Sequence, residues 1–242
     1  MLGSGSVSLR LAPSKQASVR RLALPATAAA CLLAGTAAAQ PNTALLDRWI
    51  SAQTNLHTWT ADCTQTRSLK VLAQPLVSNG KVWVLVPDRF RWELGQPAQT
   101  IALRQPDQLL IIYPRLKRVE KYPLRAAQPG PWKDALALLE ASFPRNRAEL
   151  ESHFRILSIT ETNSLMQVIL QPKSASARKF MEEIRVSVST DGFSPVATEL
   201  RFSDGSSMRN DFTNTVLNAQ LSLDQFDAKL GSDFTTVEPL GP

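Results

Sequence analysis

The chain has 242 residues, 27 of them Lys or Arg and 21 Asp or Glu, for a formal net charge of +6. Four of the bases and none of the acids lie in residues 1–39, so the rest carries 23 against 21, a balance of +2 that leaves a nucleic-acid-binding reading without support. Hydrophobic residues make up 43% and the only cysteines are Cys31 and Cys63, which excludes a disulfide-stapled scaffold and leaves one packed core as the source of stability.

Residues 1–39 read as a secretory signal peptide. Arg10, Lys15, Arg20 and Arg21 form its positive segment, Leu22 to Gly35 is apolar and Ala-rich, and Ala37-Ala38-Ala39 offers a small-residue cleavage site before Gln40. Two alternatives attach to it: a faint lipobox, Ala28-Ala29-Ala30-Cys31, which would lipidate Cys31, and an Arg20-Arg21 pair suggestive of twin-arginine export. No later run approaches the roughly 20 apolar residues that a membrane-spanning helix needs, so the segment 40–242 is expected to be exported as one domain without stable membrane insertion.

That domain opens with a predicted helix from Pro41 to Leu56, capped by Asn42, in which Leu45, Leu46, Trp49, Ile50 and Gln53 recur at helical steps. Six strands follow at short intervals: Trp59 to Leu72, Leu76 to Val86, Phe90 to Leu94, Thr100 to Arg104, Gln108 to Tyr113 and Arg118 to Tyr122. In the second, Val82 to Val86 is apolar without alternation, so both of its faces require cover. The third alternates, setting Phe90, Trp92 and Leu94 against Arg89, Arg91 and Glu93. The cluster of Lys117, Arg118 and Lys121 near Arg115 reads as a solvated strand edge, or as a contact for an acidic partner or lipid headgroups.

A helical pattern then runs from Trp132 to Phe143, with Leu136, Leu139 and Phe143 in step, and a second short helix from Asn146 to Ser152. Strands resume at Arg155 to Thr162, Leu165 to Gln171, Met181 to Thr190, Ala197 to Phe202 and Met208 to Val216, with hairpin turns at Asp191-Gly192 and Asp204-Gly205. Leu223 to Phe226 and Phe234 to Val237 read as a short helix and a closing edge strand. The fold class is α+β and mainly β, an antiparallel sheet with a few helices laid over it.

Catalytic chemistry finds no footing. His57 and His153 have neither paired cysteines nor metal-ligand spacing, there is no Gly-x-Ser-x-Gly elbow and no phosphate loop, and Glu182 and Glu183, as strand neighbours, point to opposite faces. Cys63 shares strand parity with Trp59 and Ala61 and reads as a core or wall position rather than a nucleophile. The expectation is a non-enzyme with no cofactor and no metal.

Three segments together resemble a known family: W-T-A-D-C-T-Q at Trp59 to Gln65, G-K-V-W-V-L-V-P-x-x-F-R-W at Gly80 to Trp92, and L-Q-P-K at Leu170 to Lys173. Glu199 to Ser206 and Phe212 to Asn218 follow in order, and the sequence resembles the LolA-like periplasmic lipoprotein carriers from about Leu45 to Pro239. The resemblance implies an incomplete antiparallel β-barrel, a half-barrel, with helices covering an apolar concave face that binds acyl chains. It implies a monomeric periplasmic chaperone that moves lipoproteins, or related lipids, from the inner to the outer membrane. Its partners would be lipid, an inner-membrane exporter complex and an outer-membrane receptor, with no nucleic acid. The residues expected to line the cavity are Trp49, Trp59, Cys63, Val82, Val84, Val86, Phe90, Trp92, Leu94, Leu110, Ile112, Leu136 and Leu139. The alternative is a periplasmic sensor or scaffold of the same fold, binding lipid or lipoprotein for signalling or for a dedicated lipid exporter. One position departs from the family pattern: the residue before the proline of V-P-x-x-F is, in the best-known carriers, an arginine that holds the lid shut, and here it is Val86. Arg89 and Arg91 are the nearest substitutes for that latch.

Overall fold

The computed structural model describes residues 43–124 and 141–239. The expected leader, the Asn42 cap, and most of the helix expected from Trp132, with Leu136 and Leu139, lie outside the described residues; Ala141 and Ser142 are helical.

Helix α1, Thr43–Gln53, buries Leu45, Leu46, Trp49, Ile50 and Gln53, the stripe its periodicity defines. A first antiparallel meander follows: β1 (Thr58–Ser68), β2 (Leu76–Leu85), β3 (Arg89–Leu94), β4 (Thr100–Gln105), β5 (Gln108–Tyr113) and β6 (Arg118–Pro123). Helix α2, Arg147–His153, starts at Asn146, whose side chain accepts the Glu149 N–H at 2.8 Å and so satisfies one of the free amides of the first turn. The second meander holds β7 (Phe154–Thr162), β8 (Leu165–Pro172), a one-turn helix α3 (Ala175–Arg178), β9 (Met181–Ser189), β10 (Pro195–Phe202) and β11 (Ser207–Leu217). Gly192 and Gly205 take φ of +77° and +85° in the turns marked by Asp-Gly pairs, a region that costs glycine nothing. Strand β12, Thr235–Val237, is the last element of the described chain.

The meanders join through β1 and β11, which run antiparallel from Trp59↔Leu217 to Ser68↔Ser207. Asn218 pins the junction: its Oδ1 accepts the His57 N–H at 2.8 Å and its Nδ2 donates to the Asn55 carbonyl at 3.1 Å. One sheet of twelve strands results among the described residues, in the order β12-β6-β5-β4-β3-β2-β1-β11-β10-β9-β8-β7, with β7 and β12 outermost. The antiparallel sheet is open, as a half-barrel is. The closing strand is the exception to antiparallel pairing, because β12 lies parallel to β6.

The unalternating run in β2 is explained by cover on both faces. Val82 and Val84 belong to the inner cluster, while Trp83 and Leu85 pack on the outer one with Ile101, Leu103, Val119 and Phe226. That outer cover is the chain's own C-terminal segment, in which Leu221, Phe226, Ala228 and Phe234 lie against the sheet. The basic cluster helps to hold it. Lys117 pairs with Asp233 at 3.2 Å and stacks over the Phe234 ring at 5.0 Å, and Lys121 reaches Glu238 at 3.6 Å. The expectation of a bare solvated edge is thereby corrected, since β6 is flanked by β12 and Arg118 is paired with Glu120.

Candidate functional site

Strand pairing carries the inner face across the first meander in rows. One row runs Trp59–Val84–Phe90–Arg104–Leu109–Tyr122, and the next Ala61–Val82–Trp92–Ala102–Ile111–Glu120. A third begins Cys63–Gly80–Leu94–Thr100. Residues of one face recur every second position, so these rows form one wall. The wall is apolar except at Arg104 and Thr100 of β4 and towards β6, where the Tyr122 hydroxyl donates to Glu120 Oε2 at 2.9 Å. Burial, that hydrogen bond and the neighbouring Glu120 charge push the Tyr122 hydroxyl up to about 12.

Two apolar clusters share the concave side. One joins Trp59, Ala61, Cys63, Val82, Val84, Phe90, Leu109 and Phe212. The other sits under α1 and α2, where Leu46, Trp49, Ile50 and Leu150 meet Met166, Val168, Ile184 and Leu200 of the second meander. Trp92 packs against both. A run of aromatic contacts links the helical cover to this junction: Phe143 to Trp59 at 5.3 Å, Trp59 to Phe212 edge-on at 4.9 Å, and Phe212 to Trp92 at 5.9 Å. The buried indole N–H groups of Trp49 and Trp59 have no hydrogen-bond acceptor among the described residues.

The expected site residues divide accordingly. Trp59, Cys63, Val82, Val84, Val86, Phe90 and Trp92 come together on the concave side, and Leu94 shares their parity at a half-buried position. Trp49 faces the concavity from α1 but belongs to the second cluster. Leu110 and Ile112 are a correction: they lie on the outer face, packed with Ile101, Leu103 and Phe226, and the residues of β5 that face inward are Leu109 and Ile111.

Cys63 is 2% exposed, and burial pushes its thiol up to about 12, aided by the Asp211 charge and opposed by the neighbouring Trp92 indole. A thiol so held is protonated at neutral pH and serves as wall. Among the described residues no group of three or more His, Cys, Asp or Glu side chains is placed to hold a metal ion, and no helix is long and apolar enough to cross a membrane.

Between the sheet and residues 143–154 lies a cavity of about 80 Å³ with an apolar lining of Val84, Val86, Phe90, Phe143, Leu150 and Phe154. Its polar lining is Arg89, Arg104, Arg145, Glu149 and His153. A larger cleft of about 370 Å³ lies beyond Phe154, between the start of α1, α2 and β7, with Leu46, Ile156 and Ile159 in its walls. The smaller cavity falls short of the roughly 300–1,000 Å³ common for ligand pockets.

Val86 occupies the latch position with an apolar side chain against the cavity. Of its substitutes, Arg91 is excluded from the concave side, because it pairs with Glu93 at 2.6 Å and donates to the Gln225 carbonyl at 3.3 Å on the outer face. Arg89 lines the cavity at the turn. Arg104, paired with Phe90 in the inner row, was not foreseen from the sequence, although the alternation Ala102, Arg104 against Ile101, Leu103 carries its parity.

The family model of the outer membrane lipoprotein carrier protein LolA matches residues 54–229. The chain belongs to the LolA family. No curated protein sequence matches this LolA-family chain. Among solved structures it is similar to a chain of the MucA/MucB complex of Pseudomonas aeruginosa, at 16% identity and a TM-score of 0.43 over 81% of this chain and 62% of that one. It is likewise similar to a conserved protein from Thermus thermophilus, at 11% identity and a TM-score of 0.48 over 81% and 98% of the two chains. A LolA superfamily protein from Nitrosomonas europaea has 10% identity and a TM-score of 0.41 over 78% and 99%. The chain thus spans less than two thirds of the Pseudomonas chain's length.

Proposed function

We propose that this LolA-family protein is a periplasmic carrier that shields acyl chains of lipoproteins, or of related lipids, on its concave face between the inner and outer membranes, without catalysing a reaction. The observation that carries this reading is the apolar wall of an open sheet, two clusters joined at Trp92 beneath a helical cover. The proposed lining is Trp59, Cys63, Val82, Val84, Val86, Phe90, Trp92 and Leu94, with Trp49 on the helical side, and Leu109 and Ile111 in place of Leu110 and Ile112.

Energetics favour a transient complex. At roughly 0.8 kcal/mol per buried methylene, a chain of a dozen carbons gains on the order of 10 kcal/mol. Displacing Phe143 and Leu150 from the sheet returns part of that, which lets the cargo leave again. With Val86 at the latch position, opening works against apolar contact rather than against a polar latch. In this reading an exporter in the inner membrane loads the carrier, a receptor in the outer membrane unloads it, and the signal peptide of residues 1–39 directs it to the periplasm.

The test is to produce the protein from its full coding sequence, confirm by N-terminal sequencing that the periplasmic form starts at Gln40, and extract it for lipid mass spectrometry. Stoichiometric acyl lipid on the wild type and loss of it in Trp92→Asp support the proposal. Its absence from the wild type, or its unchanged presence in the variant, defeats it.

A further inference from the structure

The two ends of the sheet differ in charge. Strand pairing brings the connections 69–75, 95–99, 114–117, 173–180 and 203–206 to one end, and the hairpin turns 86–88, 106–107, 163–164 and 190–194 to the other. The first set holds Lys70, Arg115, Lys117, Lys173, Arg178 and Lys179 against a single acid, Asp204, whereas the second holds Asp88, Asp107 and Asp191 and no Lys or Arg. Asp204 turns its carboxylate onto its own hairpin, accepting the Ser206 N–H at 2.8 Å and the Ser206 hydroxyl at 3.1 Å. Of the six bases, only Lys117 is ion-paired with a described residue, Asp233. One end of the sheet therefore presents a positive field and the other a negative one.

Apolar exposure gathers at the basic end. The three most exposed large apolar side chains among the described residues are Val71, Leu116 and Phe180, at 88%, 71% and 66%, and each stands on one of its connections. Each also adjoins a base in the chain: Val71 follows Lys70, Leu116 lies between Arg115 and Lys117, and Phe180 follows Lys179. Hydrogen bonds tie three of the connections into one rim. The Lys70 N–H donates to Ser206 Oγ at 3.3 Å, and Ser203 donates through its N–H to the Phe180 carbonyl at 3.0 Å and through its hydroxyl to the Lys179 carbonyl at 2.6 Å. A folded protein partner needs its apolar contacts gathered into one desolvated core, which single side chains on separate turns do not supply. A bilayer needs no such shape, because apolar tips enter the acyl boundary one by one while the bases beside them meet the headgroups.

We infer that this end of the protein docks on an anionic membrane surface, with Val71, Leu116 and Phe180 in the interface and the adjoining bases on lipid phosphates. The docking surface lies apart from the concave wall, so the inference stands independently of what that wall carries.

The experiment is co-sedimentation of the protein, purified as the form that begins at Gln40, with vesicles of pure phosphatidylcholine and of equimolar phosphatidylcholine and phosphatidylglycerol. Protein that merely extracts a lipid stays in the supernatant and is not counted. A Lys or Arg near an anionic surface strengthens partitioning about fivefold, so six bases against one acid predict a preference of about a hundredfold or more for the anionic vesicles, which added salt should erode. Arg178→Gln/Lys179→Gln should weaken that binding about 25-fold and Phe180→Ser about tenfold, whereas Asp191→Lys, at the other end, should leave it within about twofold of wild type. All four positions are exposed. If the double variant does not fold, Lys179→Gln alone, with an expected loss of about fivefold, reads the same contact. Equal binding to both vesicles, binding to neither, or a gain in Asp191→Lys as large as the loss in the double variant overturns the inference. Retention by native membranes but not by vesicles of their extracted lipids overturns it too, and assigns the basic end to a protein partner. None of these outcomes touches the carrier reading, which is judged by the lipid bound to the purified protein.

Discussion

Phe226 shows how the two faces of the sheet divide their work. It is fully buried on the outer face, within a four-residue 3₁₀ turn whose carbonyls also hold the sheet: Gln105 Nε2 donates to the Phe226 carbonyl at 3.0 Å and Arg91 to the Gln225 carbonyl at 3.3 Å. Phe226→Ala leaves both main-chain ties in place and removes the ring alone from among Leu103, Leu110 and Ile112. Transfer of a buried aromatic contributes about 1.5–3 kcal/mol, and the void left in a well-packed cluster raises the cost of truncation to about 3–5 kcal/mol. For a domain of this size each kcal/mol moves the thermal midpoint by roughly 2–4 °C, so the midpoint should fall by about 6–20 °C. Circular dichroism melts measure the shift, and lipid binding below the midpoint should match wild type because the concave wall is untouched. A shift under about 2 °C would show that the C-terminal segment does not bear on the sheet, and a loss of binding in the folded variant would show that the faces are not independent.

Three other outcomes follow from the same geometry. Cys63 should resist iodoacetamide at pH 8 in the folded protein and react once urea unfolds it. With its folded value raised from 9.0 to about 12, its contribution to stability is whole below pH 9 and is lost as pH rises towards 12, a decline that Cys63→Ala should lack in urea titrations. Gly80→Ala should cost about 2 kcal/mol or more in urea unfolding, because a Cβ there overlaps the Glu93 carbonyl oxygen of the paired strand and the backbone must move. Asn210, fully buried, accepts from Gln65 Nε2 at 3.0 Å and donates to Thr198 Oγ1 at 3.2 Å; Asn210→Ala should cost about 1–3 kcal/mol, and a double-mutant cycle with Gln65→Ala should show coupling above about 0.5 kcal/mol.

Much of the wall was legible along the strands themselves. The alternation of Phe90, Trp92 and Leu94 against Arg91 and Glu93 placed β3 the right way round, because one of its faces is polar and the period of two has a sign; Arg89, beside the turn, lines the cavity despite its parity. Strand β5 offered no such sign. Leu109, Leu110, Ile111 and Ile112 are all aliphatic, and which pair faces inward follows from the register with β4, where Ala102 and Arg104 share the inner row. The one-turn helix α3 was missed for a different reason: four residues, Ala175–Arg178, bury no side chain and leave no apolar period to read.

By itself, then, the order of residues determined the strand segments, the apolar stripe of α1 and the turns at Gly192 and Gly205, all set by neighbours within a few positions. Only the tertiary structure decided which face of the sheet is concave, that β1 closes on β11, and that the chain's own tail covers the outer side. Those outcomes depend on contacts between residues more than a hundred positions apart, such as Gln65 with Asn210 or Gln105 with Phe226, separated by 145 and 121 residues. Local periodicity records that a face is buried, but the element that buries it is chosen by the folded chain as a whole.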